Sequence, residues 1–137
     1  MSMIQLIYAS RPFGFNEATL NGILNIARHY NERDEITGAL ICRDDLYLQL
    51  LEGRADVVEA AYRRIARDTR HLDIRRLLVQ PAGQRLFATW AMRDDPARSW
   101  MWSRAAVEAG ELDKASADDL LAVFARLAAE PAEPVFA

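Results

Sequence analysis

Two-residue hydrophobic alternation and helical 3.6-residue spacing succeed one another along this 137-residue chain in the order strand, helix, strand, strand, helix, strand, strand. That order predicts an α+β fold, a ferredoxin-like βαββαββ sheet with two helices on one face. A second amphipathic stretch follows residue 95 and predicts C-terminal helices packed on the opposite face, because an open apolar sheet face would otherwise meet water. With 51% apolar and 27% charged side chains, the chain has the composition of one globular core.

Met3 to Ser10 alternates Ile4, Leu6, Tyr8 and Ser10 against Gln5, Ile7 and Ala9, and Pro12-Phe-Gly14 closes the strand. Asn16 is an N-cap for a helix to about Tyr30, with Leu20, Ile23, Leu24 and Ala27 at helical spacing. Ile36 to Ile41 and Leu46 to Leu51 predict a hairpin around Arg43-Asp-Asp45. Asp56-x-x-Glu59, an aspartate version of the capping box, opens a second helix that aligns Val58, Ala61, Tyr62 and Ile65. Strands around Ile74 to Gln80 and Arg85 to Met92 flank Pro81-Ala-Gly83, and Asp94-Asp-Pro96 ends the sheet. Trp100 and Trp102 fall in a short helical segment. Ser116-x-x-Asp119 caps a final helix carrying Leu120, Leu121, Val123, Phe124 and Leu127, and Pro131 and Pro134 predict a frayed tail. The change of texture divides the chain into a sheet domain, 1–95, and a C-terminal helical extension, 96–137.

A net charge of −3 with both signs interspersed leaves no footprint for nucleic acid or an anionic membrane surface. The single Cys42 excludes an internal disulfide and fits a reducing compartment. No run approaches the roughly 20 apolar residues that span a bilayer, and no signal peptide precedes Ile4, so the expected location is cytoplasmic. His29 and His71 are too far apart for a local ligand pair, and no metal site or Gly-rich phosphate loop is expected.

The chemistry concentrates in Tyr47-Leu-Gln-Leu-Leu-Glu-Gly53, where the neutral amide Gln49 sits in an apolar run and must be hydrogen-bonded. Period-two counting directs Tyr8, Gln49, Trp90 and Met92, from three strands, to the helix-bearing face. A Tyr8 hydroxyl can donate to the Gln49 carbonyl and free the amide to donate onward. A bound cofactor would complete that chain.

These residues lie in strings that together resemble the BLUF domains, sensors of blue light using flavin. The carriers are Leu6-Ile-Tyr-x-Ser10, Asn31 followed by Ile36-Thr-Gly38, Leu48-Gln-x-Leu-Glu-Gly53, Arg70-His71 and Arg85-x-Phe-x-x-Trp-x-Met92, in order from about Met3 to Arg93. The resemblance implies that Tyr8 donates an electron to photoexcited flavin, and that a proton follows through Gln49, whose amide is left rearranged. The new hydrogen bond to the flavin red-shifts its absorption. It implies further that Asn31 holds the polar edge of the ring between walls formed by Ile23 and Ile65. Arg64, Asp68, Arg70 and His71 fall where the family contacts the ribityl chain, and Trp90 and Met92 are the residues placed alternately beside Gln49. Tyr30 departs from relatives that carry Asn or His there, so the flavin contact at that position is altered or lost. FAD is the first expected cofactor, with FMN and riboflavin as alternatives. The expected partners are a downstream effector protein and, loosely, further copies of the chain.

Taken singly, the same residues have plainer readings. Tyr8, Trp90 and Met92 can be core filler, Asn31 a helix C-cap, and His71 with Arg63 and Arg64 a solvated face. Two other functions stay open, a flavin-free or light-insensitive interaction module and a small flavoenzyme. No second polar cluster suggests a substrate site, so no catalytic residue is assigned. An acylphosphatase-like hydrolase lacks support, since Ser10-Arg-Pro-Phe-Gly14 offers only one basic side chain.

Overall fold

The computed structural model describes residues 2–136. Its elements are β1 (Met3–Pro12), α1 (Glu17–Asp34), β2 (Thr37–Arg43), β3 (Leu46–Arg54), α2 (Ala55–Ala66), β4 (His71–Pro81), β5 (Arg93–Pro96), α3 (Arg104–Glu108), a 3-10 turn (Leu112–Lys114) and α4 (Ala117–Ala128). One five-stranded sheet has the order β4-β1-β3-β2-β5, antiparallel except for the parallel pair β2 and β5. The predicted α+β, ferredoxin-like class with an added strand is the fold observed.

Alternation along the strands builds two cores. Leu6, Tyr8, Leu40, Tyr47 and Leu51 face Leu20 and Leu24 of α1 and Val58 and Ala61 of α2. Ile7, Ala9, Ile41, Leu48 and Leu50 face Leu112, Leu120, Phe124 and Leu127, so the C-terminal helices cover the opposite face as expected. Ser116 caps α4 by accepting from the Asp119 amide, and Asn16 caps α1 by accepting from the Thr19 amide at 2.8 Å.

Several local expectations give way to tertiary contacts. Helix α1 continues past Tyr30 to Asp34 and stops at Glu35, which takes the left-handed conformation at φ 56°. Asp56 does not cap α2; its carboxylate is bound by Arg54 at 2.7 Å, and Arg54 itself occupies the N-cap position without a side-chain cap bond. Trp100 and Trp102 precede α3 rather than belong to a helix, and Ser103 caps that helix through the Ala106 amide. The tail is not frayed as far as Phe136. Val135 and Phe136 pack on the core beneath α1, with the Phe136 ring 5.0 Å from that of Phe15.

The largest correction concerns 85–92, which is a loop and not a strand; the last strand is Arg93–Pro96, inside the segment expected to end the sheet. The cause is Glu52, whose fully buried carboxylate accepts the Leu86 amide at 2.9 Å, the Phe87 amide at 2.7 Å and the Thr37 hydroxyl at 2.9 Å. Backbone donors spent on a carboxylate cannot build a ladder. Arg85 locks the same turn by donating to Thr37 Oγ1 and to the Glu52 carbonyl.

Gly38 lets β3 lie close against β2. A Cβ there would stand 1.9 Å from the Leu50 carbonyl oxygen and 3.4 Å from the Met92 methyl, while the Gly38 amide donates to the Trp90 carbonyl. Gly38→Ala is therefore expected to destabilise the protein by about 1–3 kcal/mol, read as a lower urea midpoint. An unchanged midpoint would mean that β2 and β3 separate freely.

Candidate functional site

The register of β1 on β3 sets Tyr8 opposite Gln49, and that of β2 on β3 sets Leu40 on the other side of Gln49. All three project toward α1 and α2, into a cleft with about 100 Å³ of open interior. Helix α1 contributes Ile23, Tyr30 and Asn31, helix α2 contributes Arg64 and Ile65, and the turn into β4 contributes Asp68, Arg70 and His71. Of the residues singled out in the sequence, Tyr8, Gln49 and these eight therefore meet in one cleft.

A hydrogen-bond chain runs along its floor. The Tyr8 hydroxyl donates to Gln49 Oε1, and Gln49 Nε2 donates to Met92 Sδ at 3.1 Å. Met92 is buried beneath the cleft, and its carbonyl is clamped by Arg28 Nε and Nη2 at 3.0 and 2.8 Å. Trp90 lies outside, 41% exposed, with its ring 5.8 Å from the Arg93 guanidinium. The expectation that both would share the helix-bearing face fails for Trp90, because 85–92 is not a strand and its alternation carries no facing.

At one end Asn31 Nδ2 donates to the Ala91 carbonyl at 2.7 Å, tying α1 to the Met92 loop. Asn31 is not the helix C-cap, since α1 runs three residues further. At the other end Arg70 chelates Asp68 through Nε and Nη2, and His71 sits between Ser10 Oγ and the Ile65 carbonyl, each at 2.7 Å. The carbonyl can only accept, so His71 Nε2 donates to it. Tyr30 is held under the Arg64 guanidinium, 4.2 Å from the ring centre.

Burial above all, then the nearby Cys42, Tyr47 and Asp68, pushes the Tyr8 hydroxyl far above its ordinary value. It therefore keeps its proton and remains a donor to Gln49. Burial likewise pushes the Tyr47 hydroxyl up to about 12. Arg70 beside Asp68 holds that carboxyl below its ordinary value, because its donated hydrogen bonds favour the charged form. The cleft suits a flat aromatic group with polar edges, since Ile23, Leu24, Leu40 and Ile65 line it with apolar surface and the buried Tyr47 Oη has no partner among the described residues.

A family model described as "BLUF: Sensors of blue-light using FAD" matches residues 3–93. The chain belongs to the BLUF family. Photoactivated adenylate cyclase subunit beta of Euglena gracilis is 33% identical over 85 residues, which is 61% of this chain. The blue light- and temperature-regulated antirepressor BluF of Escherichia coli is 36% identical over 70 residues, or 51% of this chain. This BLUF chain spans only 10% and 17% of the lengths of those two relatives. Among solved structures, ground-state BlsA matches with a TM-score of 0.80 at 26% identity, covering 98% of this chain and 93% of the other. Dark-state BlrB, a BLUF protein, matches with a TM-score of 0.75 at 26% identity, covering 93% and 96%. Among the described residues, no helix is long and apolar enough to cross a membrane.

Sequence reasoning gave no site role to Leu24, Ile26, Ala27, Leu40, Tyr47, Leu51 or Ala61, which also line the BLUF cleft. Period had already put most of them on the faces of Ile23, Gln49 and Ile65. Ala27 is one helical turn from Ile23, and Tyr47 and Leu51 are two residues either side of Gln49. Nothing local signals Arg28 or Glu52, whose partners are 64 and 34 to 35 residues away.

The Asp68 and Arg70 pair yields a pH dependence. A carboxyl lowered in the folded state contributes stability above its unfolded value, near 3.8, and loses it as pH falls through the folded value. The melting-temperature gap between wild type and Asp68→Asn should hold steady at neutral pH and close below pH 3.8. A gap that persists at the lowest pH would assign it to shape rather than charge.

Proposed function

We propose that this chain is a blue-light photoreceptor in which Tyr8 and Gln49 convert absorption into a changed hydrogen-bond pattern. The observation that carries the reading is the Tyr8 to Gln49 to Met92 chain on the cleft floor. Bound flavin, FAD in the first instance with FMN and riboflavin as alternatives, supplies visible-light absorption and accepts an electron when excited. Tyr8 would donate that electron and the accompanying proton, which its hydroxyl already shares with Gln49 Oε1, and would recover both as the pair recombines. Gln49 spends an amide hydrogen on a thioether, a weak acceptor. Exchanging that bond for a better one is therefore cheap, and the amide can settle in a second arrangement.

Asn31, Ile23 and Ile65 are assigned to grip the ring and Arg64, Asp68, Arg70 and His71 to surround its chain, while Tyr30 stacked beneath Arg64 walls the cleft. Asp68 is engaged with Arg70 and His71 with Ser10, which favours sensing over turnover of a substrate.

Residues 1–95 are proposed as the photosensor and 96–137 as the relay. Met92 adjoins Arg93, whose guanidinium is buried against Asp95 at 2.7 Å. Asp95 also accepts from Arg98 at 2.9 Å and from the Glu133 amide at 3.2 Å. Displacement of Met92 would thus reach β5, the segment after it and the tail, where an effector protein or a second copy reads the state.

An absorption spectrum before and just after blue light tests the reading. A flavin band that moves slightly to the red and relaxes in the dark is expected. Tyr8→Phe should retain the flavin and lose the shift entirely. A persisting shift in that variant removes Tyr8 from the mechanism, and a colourless purified protein overturns the photoreceptor reading. Sedimentation in the dark and under illumination should differ if copies of the chain are the readout.

A further inference from the structure

Tyr47 stands in register with Ser10 of β1 and Cys42 of β2, on the same face as Gln49 and one alternation away from it. Tyr47 is 3% exposed, its ring packs 6.3 Å from that of Phe15, and its hydroxyl oxygen has no partner among the described residues. A buried hydroxyl left unpaired costs free energy, and a phenylalanine would fill the same space without that cost. Tyr47 lines the cleft, and its unsatisfied oxygen is thus a hydrogen bond kept for what fills that space.

The surroundings restrict what that partner is. Ser10, the register partner of Tyr47, meets His71 next to Arg70, which places Tyr47 toward that end of the cleft rather than toward Asn31. Arg70 is not free for a phosphate there, since Asp68 takes its Nε and Nη2 at 2.9 and 2.5 Å. A neutralised ion pair beside an unpaired hydroxyl suits an uncharged polyol, which both donates and accepts. Resting on the flavin reading above, we propose that Tyr47 Oη hydrogen-bonds a hydroxyl of the flavin's ribityl chain and anchors that chain against β3. Tyr47 is then a binding residue that works beside Tyr8 without joining its proton transfer.

The test compares riboflavin with lumiflavin, which keeps the ring and lacks the polyol. The full chain and its Tyr47→Phe variant are loaded with each, and release on dilution is followed by recovery of free-flavin fluorescence. Tyr47→Phe should speed riboflavin release by roughly fivefold to tenfold, the worth of one net hydrogen bond. Lumiflavin release and the light-induced shift should stay as in the wild type. Without added flavin the variant should melt at the same temperature or higher, because it no longer buries an unpaired oxygen, which a merely structural hydroxyl would not produce. Unchanged riboflavin release overturns the proposal, and so does an equal acceleration for both flavins, which would put the contact on the ring. A wild type that holds neither flavin instead overturns the photoreceptor reading, and that result is seen before any variant is made.

Discussion

The single antiparallel register of β1 on β3 governs the site. It sets Tyr8 opposite Gln49, and because successive side chains alternate between faces, a slip of one residue in either strand would turn its member of the pair toward α4 and part the two. The register is held by apolar residues on both faces, Leu6 and Leu51 toward α1 and α2, Ile7 and Leu50 toward the C-terminal helices. A sheet covered on both sides leaves little freedom to shift. The hydrogen bond between two buried polar groups therefore rests on the packing of their apolar neighbours.

Met92 arrives at that pair by a different route. No ladder places it; a buried carboxylate does. Glu52, at the β3 position paired with Gln5 and Thr37, gathers the Leu86 and Phe87 amides and so folds 85–92 back over the sheet edge. Arg28 then holds the Met92 carbonyl and also reaches Asp94 at 2.9 Å, linking α1 to the start of β5. The loop is thus tied at both ends by charged groups, while its sulfur meets Gln49 through a weak bond. A rigid frame around one weak contact is the arrangement a local switch requires.

A second buried charge, Asp95, extends the frame. It is fully buried between Arg93 and Arg98, and the Arg98 side chain is bound in turn by Glu130. Removing one partner from such a group leaves an uncompensated buried charge, so the three move together or not at all. The tail that follows Glu130 crosses to the core facing α1 and α2, where Phe136 rests on Phe15 and Phe15 on Tyr47. The C-terminal extension therefore touches both faces of the sheet.

The sequence by itself determined what depends on one-sided burial. The periods of β1 to β4, α1, α2 and α4 were legible because each element must hide one face, and Tyr8 with Gln49 followed from the same alternation. Asn16 and Ser116 were legible because a helix cap is satisfied within three residues. Only the tertiary structure decided the rest. Leu86, Ala88, Trp90 and Met92 alternate like a strand, yet their backbone answers to Glu52 across more than thirty residues, and the Asp56 capping pattern yields to Arg54. Long-range charged contacts leave no periodic trace, because a hydrogen bond to a distant carboxylate imposes no spacing on the residues around it.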